Sequence, residues 1–262
     1  MVFYYKTNQR NPTILLKINK MYNFRDSKSN IINILKSQTP IEKKNAIPVD
    51  SAFTYENGIL TWVSAIFVDI ENSTKLFNTK NEKLARLMRA FTSEAICIFQ
   101  DNKNYNQIGI RGDCVYSIYD IKTTNDLVGV FKIAVRLNTF LKMFNKIITN
   151  YGYKKIKAGI GIGCDEDLII KAGRTGTGIN DKIWIGKAVV DASNLSSIAA
   201  RNGVSNIAIS PLFYSNAIDL LLNRNKEYAK WINVHKANGT IDFYHCDVVQ
   251  NDFNDWINNG MK

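Results

Sequence analysis

The sequence predicts an α+β fold with the element order βαββαβ followed by a further helix and strand, which is the split βαβ or ferredoxin-like arrangement. Three observations predict it. An apolar, β-branched run at residues 62–70 precedes a segment with helical periodicity. Two strand-like runs then flank the turn at residues 111–113. A second long helical segment, residues 125–152, leads into residues 156–164, where apolar residues alternate with glycine.

The first sixty residues have a different character from the rest. They contain a basic start, the apolar piece IINILK and the segment TPIEKKNAIPVD with two of the four prolines. We expect residues 1–60 to form an N-terminal extension with one short helix and a loop. Residues 61–262 are then expected to form the main domain.

Periodicity justifies each later element in turn. The segments at 187–203, 206–210 and 241–249 are expected to be a helix ended by Gly203, a strand and a late strand, with a helix starting at Pro211 between the last two. Residues 167–186 are expected to be an excursion with a glycine-rich tip. The two main helices should bury one apolar face each, formed by Leu84, Leu87, Phe91, Ala95 and Ile98 in the first and by Leu127, Val130, Phe131, Ala134, Leu137, Leu141 and Phe144 in the second.

Composition excludes several classes of protein. The 262 residues carry a net charge of +11, which favours polyanionic partners, although a Lys-rich solvated surface explains it equally well. No apolar run approaches the roughly 18–20 residues of a membrane span, and the start lacks a signal-peptide core, so we expect a cytoplasmic protein without membrane contact. The four cysteines form no C-x-x-C pair and the two histidines lack metal-ligand spacing, so zinc and disulfide frameworks are not supported.

Two aspartates form the most informative constellation. Asp69 ends the first strand of the main domain, and Asp113 lies in the turn between the next two strands. In the predicted topology these positions are neighbours, and two carboxylates without basic partners repel each other unless divalent cations lie between them. The pair therefore predicts a two-metal site. We also expect Asn72, Ser73 and Thr74 to open a helix whose N–H groups can receive phosphate.

These residues resemble the catalytic domains of class III nucleotidyl cyclases. The family's first strand carries F-x-D-I and a small polar cluster, here Phe67-Val-Asp69-Ile70-Glu-Asn-Ser-Thr74. Its second motif is G-D in a hairpin turn, here Gly112-Asp113. Its third and fourth are G-I-x-x-G and an apolar-G-x-x-V helix start, here residues 159–163 and 185–189. The resemblance spans residues 62 to about 210 with all four elements in order.

The resemblance implies a fold, a chemistry and an assembly. The fold is the class III cyclase domain with C-terminal αβ additions. Asp69, Asp113 and the Ile70 carbonyl are expected to hold two Mn²⁺ or Mg²⁺ ions per active site. The reaction would join the ribose 3′-hydroxyl to the α-phosphate of a nucleoside triphosphate, giving a 3′,5′-cyclic nucleotide and pyrophosphate. Because active sites in this family form between two subunits, the resemblance also implies a homodimer.

The base-selecting positions depart from the purine-specific pattern. Such members usually carry a lysine four residues before the hairpin aspartate and often an aspartate three before the helix-opening glycine; here these positions are Gly109 and Ile183. Residues 172–186 resemble instead the pyrimidine cyclases of the Pycsar bacterial anti-phage systems, whose cyclic UMP or cyclic CMP activates a separate effector protein. We expect Phe67, Arg111 and Trp184 to contact the nucleotide. Core packing for Phe67 and Trp184, and a surface charge for Arg111, are the alternative interpretations.

A second departure concerns the transition state. The family's Asn-x-x-x-Arg pair falls on Val190 and Asn194. Asn194 can donate a hydrogen bond but supplies no charge, and losing the charge would cost several kcal/mol of stabilisation. We nevertheless assign Asn194 to the catalytic set and Lys236 to nucleotide binding. The basic residues that could replace the missing charge are Lys171, Arg174, Lys187, Arg201 and Lys236.

Three functions compete at this point. The first is a metal-dependent pyrimidine nucleotide cyclase that converts UTP to cyclic UMP, with CTP as the alternative substrate. The second is a catalytically inactive nucleotide-binding domain on the same scaffold, since Val190 and Asn194 replace the catalytic pair. The third is an RNA-binding module, which would need exposed aromatics such as Tyr105, Tyr116 and Tyr119 on its second and third strands. It lacks the matching sheet signature, so we expect no stable nucleic-acid partner.

Overall fold

The computed structural model describes residues 22–73, 78 and 80–262. The chain divides between Thr39 and Pro40 into two compact units. The predicted division at residues 60 and 61 stays a prediction. The expected role of Thr74 at a helix start lies outside the described residues, whereas Asn72 and Ser73 lie within them.

The N-terminal unit contains one described helix, α1 (Phe24–Lys36). The Asn23 side chain caps it by accepting hydrogen bonds from the backbone N–H groups of Arg25 and Asp26. None of its side chains is buried. A short helix in this part of the sequence was predicted, and it includes the IINILK segment.

The second unit is built on a nine-stranded sheet. Its strands are β1 (Ile41–Lys43), β2 (Gly58–Ile70), β3 (Tyr105–Arg111), β4 (Cys114–Asp120), β5 (Ala158–Gly173), β6 (Asn180–Ile185), β7 (Ile207–Ile209), β8 (Asn233–Ala237) and β9 (Thr240–Cys246). The main path of neighbours is β3-β4-β2-β5-β7-β9-β8, with β1 paired to β2 and β6 paired to β5.

The helices of this unit connect and cover the sheet. They are α2 (Glu82–Gln100), α3 (Thr124–Asn150), α4 (Lys187–Ile198), α5 (Pro211–Phe213), α6 (Asp219–Arg224) and α7 (Asn251–Asn258). A π-helical stretch (Tyr214–Ile218) joins α5 to α6, and 3₁₀ turns lie at Asp50–Ala52 and Lys226–Trp231. The order β2-α2-β3-β4-α3-β5 followed by α4 and β7 confirms the predicted α+β, ferredoxin-like arrangement with C-terminal additions.

Strand β2 separates two apolar clusters. Ile66 and Val68 belong to the large core that α2 and α3 cover. Ala65 and Phe67 belong to a second cluster on the opposite face, which also contains Ala188 and Ala192 of α4. Since side chains alternate along a strand, Asp69 lies on the same face as Phe67 and α4. The site is therefore built on the face away from the two long helices.

Three glycines let α4 lie directly against the sheet. A Cβ atom on Gly159, Gly161 or Gly163 would lie 2.2, 2.0 and 2.6 Å from backbone oxygens of α4. No side chain fits into such a space, so the alternation of apolar residue and glycine in β5 is explained by this contact. Such alternation is typical of a strand approached closely by another backbone or by a ligand, and the structure identifies the backbone of helix α4.

Some elements differ from the expectation. Strand β5 continues to Gly173 and returns as β6, so the predicted excursion is an antiparallel hairpin. Helix α2 buries Phe99 together with Leu87, Phe91 and Ala95, whereas Leu84 and Ile98 are only partly buried. All seven predicted apolar positions of α3 are buried. Across the described ranges, the chain has no helix with the length and apolarity that crossing a bilayer requires.

Candidate active site

Asp69 and Asp113 meet at the end of the β2–β4 pair. Asp69 is the last residue of β2 in register with β4, where it faces Cys114. Asp113 immediately precedes Cys114 in the β3–β4 turn, which Gly112 allows by adopting a φ of +65°. Opposed Cα atoms in an antiparallel pair lie about 4.5–5.5 Å apart. The structure therefore brings together the two carboxylates that the sequence singled out.

The electrostatics of Asp69 reflect this crowding. Burial raises the pKa of Asp69 above its ordinary value, and the neighbouring charge of Asp113 raises it further, while Arg201 opposes both effects. The Cys114 thiol beside them has its pKa raised to about 12, first by burial and then by Asp69 and Asp113. An additional positive charge at this position would relieve the repulsion.

Arg201 is the cation that already lies there. Its Nη2 donates to Asp69 Oδ2 at 2.7 Å, and its Nη1 donates to the carbonyl oxygens of Ser196 and Ala199, each at 2.9 Å. Both side chains of the ion pair are largely shielded, with 20% and 25% exposure. The sequence named Arg201 only as one of five basic candidates, because its distance from Asp69 depends on how α4 returns to the sheet.

The residues at this point fit divalent cations of the magnesium type. In the part of the chain that the structure describes, no three His, Cys, Asp or Glu side chains cluster as a complete metal cage. Mg²⁺ is usually held by one or two carboxylates, with waters and substrate phosphates completing its shell. Asp69 and Asp113, together with the Ile70 carbonyl at the end of the same strand, are a donor set of this kind.

A basic cavity adjoins this end of β2. It has a volume of about 790 Å³ and borders Ile70, Glu71 and Asn72. Four lysines line it, namely Lys83, Lys154, Lys155 and Lys157. Their charge suits phosphate groups. The phosphate-receiving role expected for Asn72 and Ser73 stays a prediction.

Phe67 and Arg111 lie on the same face as Asp69. Arg111 faces Cys114, which in turn faces Asp69, so these three residues form one row across the sheet. Phe67 is two residues before Asp69 and stacks on Tyr116 with ring centroids 4.9 Å apart. Phe67 therefore belongs to the packed cluster and also lies beside the carboxylates, while the Arg111 side chain is exposed.

Trp184 reaches the same area from β6. It packs against the cluster that contains Phe67, and its indole Nε1 donates to Gln107 Oε1 at 2.8 Å. Lys182, two residues earlier, donates to Asp50 and Asn106, both at 2.8 Å. These contacts hold the β5–β6 hairpin across the face of β3, a proximity that the linear sequence did not reveal.

Asn194 and Lys236 are both exposed, and Lys236 lies far from Asp69. Asn194 is exposed on α4, one turn beyond exposed Val190. Lys236 is exposed on β8, which is four strands from β2 in the sheet, or about 19 Å at the usual strand spacing. A single chain does not bring Lys236 to Asp69.

The aromatic residues considered for RNA binding do not share a surface. Tyr119 is fully buried, and its hydroxyl donates to the carbonyl oxygen of Phe99 in the main core. Tyr116 lies on the opposite face, because it is three residues away on the same strand. The stacking platform that an RNA-binding sheet needs is therefore not formed by these three tyrosines.

Two aspartates of β5 anchor the start of α4. Asp165 Oδ2 accepts from the backbone N–H of Lys187 at 3.1 Å, and Asp167 Oδ1 accepts from that of Ala188 at 3.3 Å. A Cβ on Gly186 would lie 1.9 Å from Asp167 Oδ1, which explains the glycine. Asp167 is fully buried with Oδ2 unpartnered, and burial raises its pKa to about 6. This role of Asp167 was not predicted from the sequence.

Comparisons with known proteins identify two uridylate cyclases as relatives of this chain. The chain is 42% identical over 242 residues to a protein named uridylate cyclase from Treponema porcinum, a match that covers 92% of this chain and 82% of that one. It is 32% identical over 221 residues to a uridylate cyclase from Gulbenkiania mobilis, covering 79% and 84% of the two chains. No family model matches.

A solved structure shares the fold. The adenylyl cyclase CyaB from P. aeruginosa superposes with a TM-score of 0.58 at 19% identity, covering 72% of this chain and 95% of that one. At this identity the likeness concerns the fold, and it matches the class III cyclase architecture expected from the motifs.

Proposed function

The chain belongs to the uridylate cyclase family, and from this membership we propose that it converts UTP to 3′,5′-cyclic UMP and pyrophosphate. The observation that carries the proposal is the convergence of Asp69 and Asp113 in a chain that is 42% identical to a named uridylate cyclase. The missing purine selectors at Gly109 and Ile183 agree with a pyrimidine substrate.

The two aspartates and the Ile70 carbonyl would hold two Mn²⁺ or Mg²⁺ ions. Such ions, when bound, lower the pKa of a ribose hydroxyl and stabilise the charge of a triphosphate. The protein's own contribution is to hold both carboxylates in a partly dry pocket on the rigid ends of paired strands. The raised pKa of Asp69 is the electrostatic sign that this pocket favours added positive charge.

Arg201 is our candidate for the charge that Asn194 does not supply. Its guanidinium is fixed by two backbone carbonyls and one metal-binding carboxylate, so it is held in place beside the reacting phosphate. A fixed arginine stabilises developing phosphoryl charge without reorganisation. Arg111, on the same row of the sheet, would contact the triphosphate from the opposite side.

A homodimer would complete the site. Lys236 is distant from Asp69 within one chain, and Asn194 is exposed on α4, so we propose that a second copy supplies these groups. Ile185 and Val190 lie around the same surface with 48% and 54% exposure, and such side chains are usually covered in an assembly. In this proposal each active site uses the carboxylates of one subunit and α4 and β8 of its partner.

The product would act as a second messenger. As in the pyrimidine cyclases of anti-phage systems, we propose that cyclic UMP is read by a separate effector protein. We propose a cytoplasmic location, because nucleoside triphosphates are available there, and the four free cysteines support a reducing compartment.

The test is a product assay with all four nucleoside triphosphates and Mn²⁺, analysed by mass spectrometry. We expect cyclic UMP as the main product. Asp69→Asn and Asp113→Asn should each reduce turnover roughly 1,000-fold or more, because each removes a carboxylate charge from the ion-binding pair. The matched control is Asp252→Asn, an exposed aspartate on α7, which should retain full activity.

Other outcomes would identify the alternatives. Cyclic CMP as the main product would make CTP the substrate. UTP binding without any product would support the inactive nucleotide-binding domain. Cyclic AMP or cyclic GMP as the main product would remove the pyrimidine assignment altogether.

A further inference from the structure

Gly109, Tyr116 and Phe67 form a second row across the sheet. It lies two residues along the strands from the row of Arg111, Cys114 and Asp69. Gly109 faces Tyr116, and Tyr116 faces Phe67. Opposed residues in antiparallel strands project to the same face, so this row shares its face with Asp69. Phe67 lies two residues before Asp69, so the two rows are about 7 Å apart, which is within the span of a nucleoside.

The position of the Tyr116 ring is fixed from two sides. It stacks on Phe67 with an angle of only 11° between the rings. A Cβ on Gly109 would lie 2.4 Å from both Cζ and Oη of Tyr116, so the phenol end lies directly over the glycine backbone. Any side chain at residue 109 would displace the hydroxyl. The glycine is therefore required by Tyr116.

Trp184 sets the direction of the hydrogen bonds around this hydroxyl. An indole N–H can only donate, so Gln107 must accept from Trp184 through Oε1. The Gln107 amide then presents its NH₂ group elsewhere. Burial raises the pKa of Tyr116, so its hydroxyl keeps its proton. The NH₂ group of Gln107 can only donate, so a hydrogen bond from it to the Tyr116 oxygen leaves that proton free for another acceptor.

We propose that Tyr116 is a specificity-determining residue whose hydroxyl donates a hydrogen bond to the O4 oxygen of uracil, and that Gln107 and Trp184 position it as a donor. The inference rests on the proposed cyclase function. It names the residues by which that function would separate UTP from CTP.

The discrimination follows from the chemistry of the two bases. Cytosine carries an amino donor at C4, where a 4-keto pyrimidine such as uracil carries an oxygen acceptor. A donating Tyr116 pairs with the oxygen but faces the amino group donor to donor. A buried donor left without a partner costs about 1–3 kcal/mol, which corresponds to roughly 5- to 150-fold in kcat/KM.

The first variant removes the hydroxyl and keeps the ring. Tyr116→Phe should lower kcat/KM for UTP by about 10- to 100-fold, while the value for CTP should stay the same or rise, because the variant has no donor facing the cytosine amino group. Tyr119→Phe is the matched control, because it removes a hydroxyl from the same strand on the opposite face. That control should leave the UTP-to-CTP ratio unchanged.

The second variant reverses the direction of the hydrogen bonds. In Gln107→Glu the carboxylate still accepts from Trp184, but it also accepts from Tyr116, whose oxygen then offers a lone pair to the substrate. We expect the preference to move toward CTP. Gln107→Met removes the hydrogen-bonding amide without reversing the direction of the bond. It should therefore lower the UTP-to-CTP ratio of kcat/KM toward one, without producing a preference for CTP. A purely structural role for Gln107 would not change the sign of the preference.

The outcomes separate the inference from the proposed function. If the wild-type chain forms no cyclic nucleotide, the proposed function fails. If it forms cyclic UMP, but Tyr116→Phe keeps the UTP-to-CTP ratio within about twofold and Gln107→Glu still prefers UTP, the inference is overturned. Should Tyr116→Phe not fold, Trp184→Phe provides the second test, because releasing Gln107 should bring the ratio closer to one.

Discussion

At the scale of single residues, Asp167 couples the start of α4 to pH. Its carboxyl is fully buried, accepts from the Ala188 N–H and has a pKa of about 6, above the ordinary 3.8. In the interval between these values the folded chain binds more protons than the unfolded chain. The stability that this carboxyl contributes should therefore be fully present below about pH 4 and be lost as the pH rises through 6.

We expect Asp167→Asn to flatten this dependence. The variant cannot ionise, so the difference in unfolding free energy between pH 4.5 and 7 should shrink on the order of 1–2 kcal/mol. Urea unfolding at the two pH values measures it. Ser64→Ala is the control, because it removes the buried hydroxyl that donates to the Gly163 carbonyl without removing a titrating group. An unchanged pH slope in Asp167→Asn would contradict this account.

The sequence predicted some of these residues and could not predict others. Asp69 and Asp113 were recognisable because a carboxylate at a strand end and another in a hairpin turn are local patterns. Gln107 and Arg201 were not, because their importance depends on which partners the folded chain brings within 3 Å. Asp167 looked like one acidic residue among several, since burial is a property of the packed helix α4 above it.

At the scale of elements, the glycines of β5 set the distance between sheet and helix. Gly161→Ala would place a Cβ about 2.0 Å from the Ala192 carbonyl oxygen. Helix α4 would have to move away from the sheet, so we expect a loss of about 3 kcal/mol or more in stability. Activity should fall with it, because Arg201 is held by the end of α4.

Thermal unfolding checks this expectation, with Gly176→Ala as its control. Gly176 has a φ of +79° and open space around its Cα. The control therefore pays only the conformational cost of about 1 kcal/mol. Equal melting temperatures for the two variants would show that α4 can shift freely, contrary to the packing described above.

The elements themselves were largely predictable, whereas their lengths were not. Helical periodicity identified α2 and α3 because each buries one continuous apolar face. Strand β6 escaped prediction because its inward residues are Lys182 and Trp184, whose partners lie on β3 and in the 50–53 turn. The inward face of β6 is recognisable as apolar only when the Trp184 ring and the methylene stem of Lys182 are both counted as apolar surface.

At the scale of the whole molecule, the proposed site takes Asp69 and Asp113 from one subunit and Asn194 from its partner. If two copies complete each other, specific activity should fall on dilution as dimers dissociate. Measuring cyclic UMP formation per subunit over a wide protein concentration range tests this directly. Activity per subunit that is independent of concentration down to the nanomolar range, in a protein that sediments as a monomer, would contradict the shared site.

Mixing two inactive variants gives a sharper test. Asp69→Asn removes one half of the site and Asn194→Ala the other, so a mixed dimer contains one intact site and one doubly damaged site. After subunit exchange at equal amounts, about one quarter of wild-type activity should return, because half of the dimers are mixed and each has one working site. Mixing Asp69→Asn with Asp113→Asn is the control and should restore nothing, since both changes affect the same half.

The packing of Tyr116 over Gly109 also bears on how such a protein can change during evolution. A lysine introduced at position 109 collides with the phenol, and a smaller residue introduced first at 116 leaves Phe67 without its stacking partner. A protein with only one of the two substitutions should therefore be less stable than the protein with neither or with both. Ancestry within this lineage should show the two sites substituted together, as an epistatic pair, rather than drifting one at a time.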